Sequence, residues 1–420
     1  MKDYKNNFTS DLLWNYGSIV FLASSGLIFN TIIMLFYNAE ILGVFNQVYA
    51  YYILFSQLTV FGIQASVTKY SSQYSDDKKL CGQIFISGIC CVVIIALVVI
   101  GGLYAIVFWL QRYIGSEVLE GIKMVIPGLF LFSINKVILG FFNGRSCMKA
   151  YAIFQSLRYI LIAFILLLLA VCHIEGAHLV ICFVFSEAVL LICLVVYLLR
   201  HKLGGERPAW KYIKEHIRFG FCILPGNMVL EFNTKTDIIA LGLVLADDRL
   251  IGYYSFASFF AEGFYQLFIV VRRNINPYIA KLNGNNYVAE SFSDLKDKVG
   301  HYVAVFALPG VTAIICGFGG LCWLMNRMEY LEALIPLLII SISIAVNGKY
   351  IIFGNLLSQM GFPMQESLIN IGTVSCNMIL NMVLIYLFGL IGAAVATAIS
   401  YFLASVFIYF LVKKKLLICL

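Results

Sequence analysis

"CCVVIIALVVIGGLYAIVFWL" occupies residues 90–110. It holds no charged side chain from end to end. A helix of about 20 apolar residues is long enough to cross a bilayer. A strand of a membrane barrel would instead alternate apolar and polar residues over units of about ten. This stretch does not alternate, so it reads as a spanning α-helix.

The rest of the chain has the same character. Of its 420 residues, 61% are hydrophobic and 12% charged, and the mean hydropathy is +0.91. A soluble domain is nearer about 45–50% apolar and about 25% charged. The longest polar windows, about 199–218 and 280–298, are connectors in size and not domains. The start, MKDYKNNFTSD, is polar. The apolar run after it is too long for a signal peptide and lacks a small-residue cleavage site, so it reads as the first span. The 12 cysteines lie mostly within apolar runs, without a CxxC pair or a Cys/His ligand spacing. They read as small packing residues.

Twelve spans follow at about 12–37, 41–68, 81–110, 119–143, 151–172, 177–199, 219–245, 250–273, 299–323, 330–355, 364–388 and 390–412. With a cytoplasmic N-terminus, 21 Lys and Arg fall on the cytoplasmic side and 4 on the other, alternating loop by loop. That asymmetry is the positive-inside pattern, and it places both termini in the cytoplasm. The net charge of +7 is therefore mostly topology and does not indicate nucleic-acid binding.

The two halves resemble one another. "AEILGVFNQVYAYYILF" from Ala39 resembles "DDRLIGYYSFASFFAEGF" from Asp247. Pro127 matches Pro336, "NKVILG" (135–140) matches "NGKYIIFG" (347–354), and "IEGAHLV" (174–180) matches "LIGAAVA" (390–396). The pattern is a six-helix unit used twice, 1–205 and 206–420, with both copies entering from the same side. Such repeats are a known transporter plan, with the substrate site at their interface.

These residues, with "EILGVFNQVYAYYILFSQLTVFGIQASVTKYSSQY" (40–74) and "GLIGAAVATAIS" (389–400), carry a resemblance to a known family. The chain resembles the Wzx-type polysaccharide flippases of the multidrug/oligosaccharidyl-lipid/polysaccharide exporter superfamily. The resemblance implies an all-α polytopic membrane protein. Its twelve transmembrane helices would form two pseudo-twofold-related six-helix bundles, set as a V and working by alternating access. It implies an undecaprenyl-diphosphate-linked oligosaccharide, an O-antigen or capsule repeat unit, as cargo. It also implies a bacterial inner-membrane location, with glycan polymerase and chain-length proteins as partners beside membrane lipid.

Ionisable groups in hydrocarbon cost several kcal/mol, so those inside spans are the candidate site. Lys136 and Lys349 follow the paired prolines by nine and thirteen residues, a difference of about 40° in helical facing. Either they line a cavity or they snorkel to the cytoplasmic interface. Arg158 and Lys235 are two further cavity candidates. Arg272 and Arg273 close span 8, as positive-inside anchors or as captors of an anionic headgroup. Glu231 and Lys235 form an i,i+4 pair, acid first, the favourable order. Asp237 faces another way, nearer the outer side. Glu187 and Glu262 lie near mid-bilayer without a local partner, either as buried neutral acids or as coupling groups. Glu187, Glu231, Asp237 and Glu262 are thus the candidates for H+ or Na+ coupling, and no other cofactor is expected. The four cations suit a diphosphate, which bare hydrocarbon would not admit.

No P-loop, HExxH, GxSxG or Cys/His cluster is present, so the chain does not read as an enzyme. Two other readings remain, a multidrug cation antiporter of the same superfamily and a lipid II flippase. The intramembrane charges, four basic and four acidic, tie by count between an anionic and a cationic cargo, and the position of the Lys136–Lys349 pair turns the reading towards the anionic one.

Overall fold

The structure, a computed structural model, describes residues 25–75, 77–201, 203, 206–245, 247–282 and 288–416. The first part of the first predicted span, with Lys2 and Lys5, lies outside the described residues. Among the described residues the regular structure is helical, with no strand. The helices are α1 (Ser25–Phe36), α2 (Ala39–Val60), α3 (Ile63–Gln73), α4 (Lys78–Leu110), α5 (Ser116–Gly144), α6 (Met148–Val171) and α7 (Ile181–Arg200). After a connector come α8 (Trp210–Val244), α9 (Asp248–Leu282), α10 (Val288–Leu324), α11 (Leu334–Ile352), the short α12 (Leu356–Gln359) and α13 (Pro363–Leu416).

Eight of the described helical segments are long and apolar enough to cross a membrane. The chain is an all-α polytopic membrane protein. The apolar run 90–110 lies in α4 and turns Ile94, Val98, Phe108 and Trp109 outward, as lipid contact requires. The second predicted span, 41–68, is not one straight helix: α2 and α3 meet at a 49° bend. Phe61 (φ 52°) and Gly62 (φ 69°) are consecutive left-handed residues there, a conformation glycine adopts readily and phenylalanine seldom does. The Phe61 N–H still bonds Gln57 O at 3.0 Å, so the bend leaves that donor satisfied. The 54 residues of α13 cover the last two predicted spans, which part at Gly389. Its φ of 57° and ψ of −132° are open to glycine alone at low cost.

The chain divides into two compact units, Met1–Glu231 and Phe232–Leu420. The division falls within α8, past the 205/206 boundary read from the repeat. The reason is polar packing of α8's first turns in the first unit. His216 Nε2 donates to Ile84 O at 3.1 Å, while its Nδ1 accepts from Ser66 Oγ at 2.7 Å. Tyr70 OH donates to Glu215 at 3.0 Å, and Ala209 N–H to Ser87 Oγ at 2.9 Å.

Within the first unit, α5 packs against α2, α3, α4 and α7. Its "GFFNG" end brings Gly140 and Gly144 onto the α3 backbone. A Cβ on Gly140 would stand 2.6 Å from Gln64 O, and one on Gly144 2.5 Å from Thr68 O. Small residues four apart let membrane helices approach this closely. Thr68 Oγ1 also donates to Gly140 O at 2.9 Å. In the second unit α11 packs against α9, α10 and α13, with Gly348 under the Phe268 ring.

Candidate functional site

In the first unit, α2, α3, α5 and α8 border an open cavity of ≈ 200 Å³ lined by Gln57, Val60, Gln64, Phe132, Lys136, Asn227 and Glu231. The bend at Phe61–Gly62 brings two amides to one place, Gln57 from before it and Gln64 from after it. Lys136 is half-buried, its Nζ 5.4 Å from the centre of the Phe132 ring. Gln57 Nε2 reaches Glu231 Oε1 at a long 3.5 Å. Gln64 Oε1 is buried without a hydrogen-bond partner among the described residues. Glu231 is one of the charges acting on the Lys136 ammonium, together with Arg158 and Glu187. Four hydrogen-bonding residue types in one small space can bind a polar headgroup, while Phe132 and Val60 close its apolar side.

Against Phe132 lies a second charged group. Arg158 (α6) and Glu187 (α7) are each 2% exposed and pair at 2.7 Å, Nε to Oε1. Arg158 Nη2 also donates to Oε2 at 3.3 Å. Asn135 (α5) donates from Nδ2 to both Glu187 Oε2 (2.8 Å) and Glu187 O (2.9 Å). The guanidinium sits 4.6 Å from the Phe132 ring centre, and Tyr52 packs edge-on to that ring at 5.8 Å. Two residues read separately from the sequence, a cargo cation and a lone acid, are therefore one ion pair. Such a pair holds three helices together, because stranding either charge in a dry interior is expensive.

The second unit holds a different constellation. Asp237 (α8) accepts from Tyr254 OH at 2.9 Å, Asn381 Nδ2 at 2.8 Å and Thr397 Oγ1 at 2.6 Å. Asn381 also donates to Asn377 Oδ1 at 2.6 Å. One carboxylate thus accepts from two hydroxyls and an amide N–H, all of them neutral groups. Lys235 is half-buried, 5.7 Å from the Phe259 ring centre, and is an electrostatic neighbour of Asp237.

The other candidates stand apart from these groups. Glu262 is exposed on α9. Arg272 lies beside Gly354 and the Tyr265 hydroxyl, and Arg273 is exposed. Lys349 ends α11, with Lys296 and Asp297 of α10 as its electrostatic neighbours. The two lysines are not placed alike. The matching anchors are the asparagines: Asn135 bonds into α7, while Asn347 accepts from Ser405 Oγ of α13 at 2.6 Å. Counted from them, Lys136 is one residue on and Lys349 two, about 100° of helix apart. Sequence reasoning did not identify Gln57, Gln64, Asn227, Asn135, Tyr254, Asn381 or Thr397. An Asn at both 377 and 381, one turn apart in an apolar span, was the one signal available.

The sequence profile described as "Polysaccharide biosynthesis protein" matches residues 9–282, well over half of the chain. No curated protein sequence matches. Among solved structures, the chain is similar to the lipid II flippase MurJ in an inward closed conformation (TM-score 0.73, 16% identity, 96% of this chain and 87% of that one). It is also similar to an inward-facing multidrug resistance MATE family transporter of the MOP superfamily (TM-score 0.70, 13% identity, 95% and 99%). A third is a MOP superfamily transporter from Pyrococcus furiosus, described as having a binding pocket of reverse polarity (TM-score 0.56, 10% identity, 95% of each chain). At these identities the likeness is one of fold.

Proposed function

The chain belongs to the polysaccharide biosynthesis protein family, and from that premise we propose that it flips a lipid-linked oligosaccharide across the bacterial cytoplasmic membrane. The cargo is an undecaprenyl-diphosphate-linked repeat unit of an O-antigen or capsule. It passes from the cytoplasmic to the periplasmic leaflet by alternating access. The observation that supports this reading is the first-unit cavity. Lys136 supplies a cation for the diphosphate, and Gln57, Gln64 and Asn227 supply amide donors for phosphoryl and sugar oxygens. The polyprenyl tail stays in lipid. Arg158, Lys235, Lys349, Arg272 and Arg273 have their place in this reading as charges along the path. Arg158 acts from behind Phe132 through its pair with Glu187.

Transport is coupled to H+ or Na+ at Asp237, held by Tyr254, Asn381 and Thr397. An ion shifts the transport cycle only by binding one conformational state better than another, and a site made of several side chains allows that difference.

A cation antiporter is the second reading, favoured by the carboxylate of Glu231 in the same cavity. One experiment separates the two. Lys136→Ala and Lys136→Arg are expressed in a strain lacking the flippase of a glycan pathway, and surface glycan and membrane abundance are measured. Loss of glycan in the alanine variant at normal abundance, with partial retention in the arginine variant, supports the flippase. No glycan even from the wild-type chain, with efflux of a cationic dye that Glu231→Gln lowers, supports the antiporter.

A further inference from the structure

The cavity that holds Lys136 is not a bare cationic pocket, because Glu231 lines it too. Lys136 and Glu231 together carry no net charge, and the Arg158–Glu187 pair against Phe132 adds none. An anion entering the cavity meets attraction from the lysine and repulsion from the glutamate at once.

We infer that Glu231 is a specificity-determining residue, an internal competitor that keeps singly charged headgroups off Lys136. The inference rests on the anionic-cargo reading above. Its carboxylate already uses a donor that a phosphoryl group would want, the Gln57 amide, at a long 3.5 Å that a better acceptor improves on. A phosphodiester lipid brings one charge. It gains about as much from Lys136 as it loses to Glu231. A diphosphate brings more charge and two sets of acceptor oxygens, so it outcompetes the carboxylate for both Lys136 and Gln57. The side chain of Glu231 then swings aside, and Gln64 and Asn227 supply the remaining donors. Singly charged phospholipids are abundant in a bacterial membrane, and a lysine open to them would be occupied most of the time. Specificity of this kind comes from a repulsive element as much as from an attractive one.

The experiment uses the full chain in micelles, with calorimetric affinities for farnesyl diphosphate and for dihexanoylphosphatidylglycerol, which carries a single charge. Wild type is expected to prefer the diphosphate by at least about tenfold, one decade of affinity. Glu231→Gln should narrow that gap to about threefold, chiefly by tightening the phospholipid. Glu231→Asp keeps the charge and should keep the preference, which separates charge from misfolding. If Lys136→Ala removes diphosphate binding but Glu231→Gln leaves the ratio unchanged, the filter is overturned and the flippase reading stands. If wild type does not bind farnesyl diphosphate, or Lys136→Ala does not weaken it, the reading itself fails.

Discussion

Breaking the Arg158–Glu187 pair should destabilise the first unit far more than an ordinary polar substitution in a membrane helix. Both side chains are 2% exposed, so neither can recruit water when the other is lost. Glu187→Gln keeps the size and the Asn135 contacts but leaves a guanidinium without its counter-charge. Removing one partner of a buried pair costs about 3–5 kcal/mol. For a unit of 231 residues this is a fall in Tm of roughly 6–20 °C. The double change Arg158→Leu with Glu187→Leu removes both charges, and Asn135 keeps its bond to the backbone carbonyl of residue 187. Apolar replacements of this kind are often neutral or stabilising. The assay is tryptophan-monitored thermal unfolding of the purified chain in micelles, run as a double-mutant cycle. Two large single losses and a double variant near wild type are expected. Single variants within about 2 °C of wild type, or losses that simply add, would refute the reasoning. Loss of transport in Glu187→Gln is then expected to follow loss of folded protein, so it is no evidence for ion coupling at that residue.

Reporter fusions at Leu203 and Asp247 should mark opposite sides of the membrane, cytoplasmic and periplasmic in that order; the same side for both would sink the topology. In proteoliposomes, Asp237→Asn should abolish the response of transport to an imposed H+ or Na+ gradient, while farnesyl diphosphate affinity stays within about threefold. Thr397→Val should weaken that response without removing it, and a wild-type response in both would take the ion site elsewhere. Gly144→Val should cost about 1–3 kcal/mol, because even its Cβ lands 2.5 Å from Thr68 O. Gly101→Ala, which meets nothing within 4 Å, is the silent control, and thermal unfolding reads both.

The helices were legible because lipid leaves the backbone few options. Each buried N–H and C=O must be satisfied within the segment, so apolar length alone selects a spanning helix. The break between the last two spans was legible for a similar reason, since Gly389 is the residue that can take the required backbone angles. The bend at Phe61–Gly62 was not, because half of it rests on a phenylalanine in a left-handed conformation that no pattern announces. The division inside α8 was hidden too. It depends on His216 meeting Ser66 and Ile84, partners 150 and 132 residues away.

The charged residues could be found one by one but not sorted. A carboxylate in an apolar run stands out in any sequence, yet its partner is set by packing. Glu187 meets Arg158 from 29 residues away, and Asp237 meets Asn381 across 144. Counting acids against bases therefore gave a tie, and the structure shows why a count is the wrong quantity. A pair closed at 2.7 Å in a dry core costs too much to open, so Arg158 and Glu187 are bound to each other first. Asp237 is held by three neutral donors, which stabilise a charge without cancelling it. Lys136 and Glu231 face one cavity, where a ligand can come between them. Equal numbers of charges thus stand in three different settings: one pair closed between helices, one carboxylate among neutral donors, and one pair facing a cavity.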